Sequence, residues 1–203
     1  MDTTVKMGQT NYLTPSQIAQ LHRLYGWQIV YQVYRTETGF NLSPEAWMLQ
    51  ASKHVLAMNM LGIHETQDGS YGSGTVTNVD DERYLAAKRM FRTMVRFNSG
   101  QNLSPPFKAA ETVPFGDPHS IRRLNLTSGF TAGTFYDRYK DHVDQAVASK
   151  GVAIFGAHSE FNSAGENLTA LGTLVDYIRT LELAGTCQVT TMAGLIRQAY
   201  ELT

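Results

Sequence analysis

The stretch GWQIVYQVYRTETGF, Gly26–Phe40, places an apolar run between two segments that have helical patterns. Its β-branched and aromatic residues over 27–34 predict a strand. Thr14 followed by Pro15 is typical of the start of a helix, and Gly26 is typical of the end of one. A helix that leads directly into an apolar strand is the unit from which parallel α/β sheets are built.

The same order of helix and strand recurs along the chain. A helix starts at Ser43-Pro44 and ends at Gly62, and later segments alternate in the same way. The pattern predicts helices beginning at Asp80 or Asp81, over 135–151, 166–185 and 192–202, and strands over 121–127, 152–158 and 187–191. Strands that are regularly separated by helices predict a parallel sheet covered by helices, open or closed as a barrel. Residues 1–203 are expected to form a single domain.

Two polar stretches, 63–80 and 97–120, are predicted to be long loops because they are rich in glycine, serine, proline and aspartate. Loops of this length in a compact domain are usually functional when they are ordered. In parallel α/β folds, sites gather at the C-terminal ends of the strands. Residues 32–37 and His158 both fall at such ends, which makes this edge the predicted site.

Composition excludes several classes of function. The chain has 203 residues, of which 42% are hydrophobic and 17% charged, with a formal net charge of −1. This balance is that of a globular protein, and it gives no basic excess for nucleic acid or an anionic membrane surface. The single Cys187 cannot form an intrachain disulfide and is expected to be a buried, inert thiol.

The sequence also lacks signals for export or membrane insertion. No apolar run approaches membrane-spanning length, and MDTTVKMGQT has no signal-peptide core. The chain is therefore expected to be made in the cytoplasm, which leaves open its later release as part of a virion or other particle.

Histidines are the first candidates for chemistry. His22, His54 and His142 fall within predicted helices, where a packed or solvated role is favoured over metal binding, and no His-x-x-x-His pair occurs. His158 ends an apolar strand, where it is positioned to act as a general acid or to orient a ligand hydroxyl. The alternative is a histidine at the edge of the core that bonds a backbone carbonyl.

Asp117 and His119 form a possible acid–base pair, but a proline-containing turn stabilised by the aspartate is favoured. No glycine-rich phosphate loop and no Gly-x-Ser-x-Gly motif occurs, which argues against nucleotide-dependent enzymes and typical serine hydrolases. Several tyrosines, including Tyr34 and Tyr71, offer flat rings with a polar end that suit stacking on sugars.

The order of these motifs resembles the polysaccharide deacetylase (NodB-homology) superfamily, in the divergent form found in phage tail and tailspike proteins. YLTPSQIAQLHRLYGWQIVYQVYRTETGFNLSPEAW, 12–47, matches the family's helix, Gly-Trp strand and following helix. Ser70-Tyr71-Gly72 before DERYLAAKRMF resembles its Pro-Tyr-Gly turn and helix. Arg122 or Arg123 resembles a later arginine, and VAIFGAH, 152–158, resembles the strand that ends in its late histidine. The resemblance implies a partial or distorted (β/α) barrel.

The departures from the family pattern bear on function. Aligned on Gly26-Trp27, the two metal-binding histidines of the family fall on Gln32 and Thr36, and neither an amide nor a hydroxyl replaces an imidazole well as a zinc ligand. The family's Thr-Phe-Asp-Asp motif does not precede Thr14. The resemblance therefore implies a fold without its first strands and without a metal site. A divalent metal such as zinc is expected only if the chain is an active hydrolase.

The resulting hypothesis is a module that recognises a surface polysaccharide, in a phage tail or another receptor-binding protein. One alternative is an active deacetylase or esterase in which His158 is the catalytic acid, and another is a structural capping domain without a ligand. Another chain is expected to cover the sheet edge left by the missing strands, giving a homo-oligomer that is trimeric if it follows tailspikes. The residues expected to face the glycan are Gln32, Tyr34, Thr36, Glu37, Tyr71, Arg123 and His158.

Overall fold

A computed structural model describes residues 13–33, 43–64, 67–71, 82–96, 111–126, 132–157 and 165–200. Within these ranges it contains helices and parallel strands, including strands over 68–71 and 93–96 that the sequence did not predict. The helices are α1 (Pro15–Tyr25), α2 (Pro44–Met60), α3 (Glu82–Met90), α4 (Ala132–Ser149), α5 (Gly165–Leu183) and α6 (Met192–Tyr200). The strands are β1 (Tyr31–Val33), β2 (Asp68–Tyr71), β3 (Thr93–Arg96), β4 (Ile121–Arg122), β5 (Leu124–Leu126) and β6 (Phe155–Ala157).

Local sequence explains both ends of α1. The Thr14 side chain accepts a hydrogen bond from the Gln17 backbone amide at 3.2 Å, and the Gln17 side chain accepts one from the Thr14 amide at 2.8 Å. This reciprocal capping box satisfies amides that the first turn leaves without helical partners. Gly26 then ends the helix at φ 69°, a left-handed conformation that glycine adopts without steric cost. The predicted limits of this helix are confirmed.

The second helix also begins as predicted. The Ser43 hydroxyl caps it by accepting from the Ala46 amide at 3.3 Å, and Pro44 occupies its first turn. Gly62, at φ 74°, follows its end. One face of α2 buries Trp47, Ala51 and Met58, and Trp47 and Ala51 pack in one cluster with residues of the first sheet and α3.

The strands form two parallel sheets. The first has the order β1-β2-β3-β4, and the second pairs β5 with β6. Tyr31 to Val33 pair with Gly69 to Tyr71, so β1 and β2 end level with each other. The segment 121–126, predicted as one strand, instead divides at Arg123: its first part joins β3 and its second part joins β6. The chain thereby passes from one sheet to the other within three residues.

Helices pack on both sheets. On the first sheet, Tyr31 stacks on Phe91 with ring centroids 5.7 Å apart, and Trp47 stands edge-on to both rings. On the second sheet, α4 and α5 enclose Leu124 and Leu126, with Phe135 and Tyr139 completely buried. A third cluster joins Phe115, Ile121 and Ile196. These clusters provide the apolar burial that stabilises the fold.

Several sequence-based expectations are wrong. The segment 63–80 is not entirely loop, because it contains β2, the strand between β1 and β3. Ser70 and Tyr71 therefore lie in a strand and not in the turn that the family resemblance implies. Residues 187–191 form no strand, and Val189 is exposed. On α5, Leu168 and Val175 are exposed, whereas Ala170 and Leu174 are buried and Leu171 and Ile178 pack against the same cluster.

The architecture is α/β with parallel strands, as predicted. In a (β/α) barrel, strands that follow one another along the chain are neighbours in the sheet. The order β1-β2-β3-β4, followed by β5-β6, has this property. Closure into a barrel is not seen among the described residues, so the barrel remains a prediction.

Candidate functional site

The predicted site lies at the edge where the parallel strands end. Strands β1, β2 and β3 of the first sheet end at Val33, Tyr71 and Arg96, and strands β5 and β6 of the second sheet end at Leu126 and Ala157. Carboxyl ends of parallel strands meet at one edge of a sheet, where the ligands of α/β proteins usually bind. These strand ends, which we call the floor, are therefore the predicted position of a ligand.

Of the predicted site residues, Arg123 is the one whose side chain the structure describes. It lies between β4 and β5, at the point where the chain crosses from one sheet to the other. Its guanidinium donates a hydrogen bond from Nη1 to the Ser70 hydroxyl of β2 at 3.1 Å. Arg123 thereby connects the second sheet to the middle of the first sheet.

Gly156 provides the space that the Arg123 side chain occupies. A Cβ atom at residue 156 would lie 2.9 Å from both Cδ and Nε of Arg123. Such distances are shorter than carbon and nitrogen atoms tolerate, so a side chain at 156 would displace the arginine. Glycine within a strand often marks a close approach of this kind.

The environment of Arg123 is partly desolvated. Burial lowers the pKa of the guanidinium below its ordinary value, because removal from water disfavours the charged form. An arginine nevertheless remains protonated at neutral pH. The result is a fixed cation beside a hydroxyl, which can donate hydrogen bonds to hydroxyl, carbonyl or carboxylate oxygens of a ligand.

The remaining predicted site residues are only partly located. Gln32 lies in β1 opposite Ser70, and Tyr71 ends β2 opposite Val33, which brings both backbones to the same floor as Arg123. Tyr34, Thr36, Glu37 and His158 lie outside the described residues. Arg123, one of two arginines that the resemblance left open, is the one that reaches across the sheets. Arg122 instead pairs with Glu111, with Nε 2.6 Å from a carboxylate oxygen.

A second polar cluster lies at the opposite edge of the sheet and was not predicted. Asp68, the first residue of β2, accepts from Arg92 at 2.8 Å, from the Thr93 hydroxyl at 2.7 Å and from the Gln28 amide at 2.6 Å. Gln28 in turn accepts from the Ala193 amide of α6 at 2.9 Å. Gln28, Asp68, Arg92 and Thr93 precede or begin strands, at the edge that usually serves stability in parallel α/β folds. The sequence did not reveal this cluster because the residues around Asp68 are polar and have the composition of a loop.

The possible acid–base pair of Asp117 and His119 is a turn, as favoured. Asp117 accepts from the His119 backbone amide at 2.9 Å and from the Tyr84 hydroxyl at 2.7 Å. Desolvation and this carboxylate raise the pKa of Tyr84 to about 12. The His119 ring bonds the Phe91 carbonyl at 2.8 Å. Both side chains are engaged in holding the loop to α3.

The other histidines and the cysteine have packing roles. His22 bonds the Trp27 carbonyl at 2.9 Å, the His54 ring lies tilted against the Tyr31 ring, and His142 is buried against Phe155. Cys187 is half-buried, and burial raises the pKa of its thiol. In the seven described ranges, no three histidine, cysteine, aspartate or glutamate side chains converge as a metal site would require.

Comparisons with known proteins found no matching family model, no matching curated protein and no matching solved structure. Of the helices in the described ranges, none has the length and apolar character needed to cross a membrane.

Proposed function

We propose that this chain is a carbohydrate-recognition module of the polysaccharide deacetylase type, which binds a surface polysaccharide without hydrolysing it. The observation that carries the proposal is the contact of Arg123 with Ser70 at the strand ends, on a floor shared with the backbones of Gln32 and Tyr71. Guanidinium, hydroxyl, amide and phenol groups provide directional hydrogen bonds and a stacking ring, which are what sugar binding requires.

The ligand types at the aligned positions support binding over hydrolysis. Hydrolysis of an acetamide requires an activated water, which a bound metal supplies in enzymes of the resembled family. At two positions where the family has imidazole ligands, this chain has Gln32 and Thr36. An amide and a hydroxyl hydrogen-bond well to sugar hydroxyls and hold zinc poorly. Placement in a phage tail is a further part of the proposal, and it rests on the resemblance alone.

A binding assay paired with an activity assay tests the proposal. The purified chain is screened against an array of bacterial surface glycans, and the best binders are measured by calorimetry. The same glycans, in acetylated form, are then incubated with the chain in the presence and absence of added zinc, and released acetate is measured. The proposal predicts binding without acetate release under either condition.

Matched variants distinguish glycan binding from hydrolysis and from a purely structural role. Tyr71→Ala is expected to weaken glycan binding, whereas substitution of exposed Asp176 on α5 is expected to leave it unchanged. Acetate release that is lost in His158→Ala would establish the hydrolase instead. If the chain shows neither glycan binding nor acetate release across the array, that result supports the structural capping domain and overturns the proposal.

A further inference from the structure

Helix α2 has two apolar faces and is packed through one of them. The packed face carries Trp47 and Ala51, which share a cluster with Tyr31 of β1. On the opposite face three large apolar side chains are 58%, 62% and 81% exposed, namely Leu49, Leu56 and Met60. A helix attached through one face has few contacts to break, and such segments open at a lower free energy than the whole domain.

His54 lies on the packed face of α2. It follows Trp47 by two helical turns, so the two side chains leave the helix within roughly 20° of each other. The His54 ring is 5.1 Å from the Tyr31 ring, which stacks in turn on Phe91. His54 is therefore part of the contact that attaches α2 to β1.

The Nε2 atom of His54 is buried without a hydrogen-bond partner among the described residues. In the neutral ring one nitrogen has no hydrogen, but after protonation both nitrogens are donors. The Nε2–H group would then be a donor on a charged ring with neither water nor a protein acceptor beside it. Burial of such a group costs more than burial of a neutral imidazole.

The strand and the helix that pack on α2 offer His54 no described carboxylate partner. From β1 comes Tyr31, whose phenol stays neutral because burial raises its pKa to about 12. From α3 come Tyr84 and two cations, Lys88 and Arg89. The Tyr84 hydroxyl donates to Asp117 at 2.7 Å, so that carboxylate is engaged on the far side of Tyr84.

The charges on α1 and on α2 itself do not compensate a protonated His54 either. Arg23 of α1, which donates to the Leu61 carbonyl at 2.9 Å, is a cation, and so is Lys53. Glu45 is the acidic residue of α2, but it lies in the first turn and, by helical spacing, on the side opposite His54. The protonated ring would therefore be a buried cation among other cations.

We propose that α2 is a pH-sensitive element, which separates from β1 when His54 is protonated. In the packed position desolvation lowers the pKa of His54 below its ordinary 6.5, whereas the ring of a released helix is in water. The packed position is thus favoured above about pH 6.5. Below it, the ratio of released to packed helix rises by up to roughly tenfold per pH unit, until the pH reaches the lowered pKa. Release would remove the helix behind β1, whose end at Val33 belongs to the floor.

Tryptophan fluorescence tests this inference, because the two tryptophans of the chain differ in exposure. Trp47 is completely buried and Trp27 is 60% exposed, so a Trp27→Phe chain reports on the packed face of α2 alone. From about pH 7.5 to about pH 5, its emission is expected to shift to longer wavelength and its quenching by acrylamide to rise about twofold or more. Far-UV circular dichroism is expected to be retained, because the other helices stay folded.

Variants assign the response to one histidine. His54→Leu and His54→Gln are neutral throughout this pH range, and each is expected to abolish the change in Trp47 emission. His119→Gln is the matched control, since His119 touches the same cluster through the Phe91 carbonyl at 2.8 Å. It is expected to retain the change.

Hydrogen exchange provides a second measurement on the unmodified chain. After correction for the intrinsic effect of pH, amides of α2 are expected to exchange faster at about pH 5 than at about pH 7.5, and amides of α4 are not. Trp47 emission that is constant over this range, or that changes equally in both His54 variants, overturns the proposal. Loss of the far-UV signal together with the shift overturns it too, because the whole chain would then be unfolding. No glycan is added, so the result is independent of the proposed function.

Discussion

The carboxylate of Asp68, in a residue that is only 1% exposed, pairs with the guanidinium of Arg92 at 2.8 Å. Gln28 and Thr93 bind the same carboxylate, so the first residues of β2 and β3 and the segment before β1 are held at one point. A carboxylate that has left water is tolerated only when charge and hydrogen bonds compensate for its lost hydration. This cluster therefore fixes how the strands of the first sheet begin.

Removal of this charge is expected to be costly. Asp68→Asn retains the shape but removes the charge that pairs with Arg92, and its NH2 group faces donors where a carboxylate oxygen accepted, so the free energy of unfolding should fall by about 3 kcal/mol. Urea unfolding measures the change. The control Asp176→Asn, at an exposed position of α5, is expected to change stability by less than about 0.5 kcal/mol. Equal unfolding midpoints for the two variants would contradict the role given to Asp68.

Trp47 is the largest side chain in the core of the first sheet and is completely buried. Trp47→Ala is expected to lower the free energy of unfolding by about 3–5 kcal/mol through the cavity it leaves between Tyr31 and Phe91. The indole Nε1 has no hydrogen-bond partner among the described residues. Trp47→Phe, which removes that buried donor and keeps most of the ring, should therefore cost less than half as much. Thermal unfolding measures the loss of stability in both variants. Equal losses for Trp47→Ala and Trp47→Phe would count against the cavity explanation.

The pH dependence of stability is expected to include His54. Its ring lies 5.1 Å from the Tyr31 ring, and desolvation lowers its pKa below the ordinary 6.5. The unfolded chain therefore binds the proton more readily than the folded chain, and stability falls as the pH drops below about 6.5 towards the folded-state pKa. His54→Leu removes this contribution, so its urea midpoint should change less than that of the wild type over this window. Substitution of exposed His64 by leucine is the control, and a slope that is unchanged in His54→Leu would refute the assignment.

Arg123 is expected to determine glycan affinity if the proposed function holds. Arg123→Lys retains the positive charge but loses the planar fork that reaches Ser70, so affinity for the selected glycan should fall about tenfold. Arg89→Lys, on the exposed surface of α3, serves as the control. Circular dichroism verifies that both variants are folded. Binding that is unaffected by Arg123→Lys would place the glycan site elsewhere.

Gly156→Ala gives an independent test of the same geometry. The added methyl would lie 2.9 Å from Arg123 Cδ, so the arginine must move away from Ser70. Glycan affinity is expected to fall by a factor comparable to that of Arg123→Lys, measured by the same calorimetry. Gly172→Ala, where an added Cβ meets nothing within 4 Å, is the control and should bind as the wild type does.

Sequence patterns located the helices better than the strands. Thr14-Pro15, Ser43-Pro44 and the closing glycines specify helix ends through local hydrogen bonds and backbone conformation, so their positions could be predicted. Strand β2 could not, because Asp68, Gly69 and Ser70 have low strand propensity. Hydrogen bonding of β2 to β1 and β3, together with the ion pair between Arg92 and the buried Asp68, overrides that propensity.

The candidate site shows the same division. The sequence indicated that residues 32–37 and His158 lie at strand ends, and the resemblance left Arg122 and Arg123 as alternatives. The choice depends on which arginine points across the sheets, and that depends on the division of 121–126 between two sheets. Adjacent strand residues point to opposite faces, so a shift of one residue exchanges their environments.

The sequence by itself determined the α/β class, the limits of most helices and the absence of a cysteine framework, because each depends on neighbours within a few positions of the chain. Tertiary structure alone decided that a polar, glycine-containing segment is an inner strand, that Arg123 reaches Ser70 across two sheets, and that α2 leaves one of its two apolar faces exposed. These features arise from contacts between residues far apart in the chain. Local propensity depends only on neighbouring residues, so it cannot predict which distant residues will come into contact.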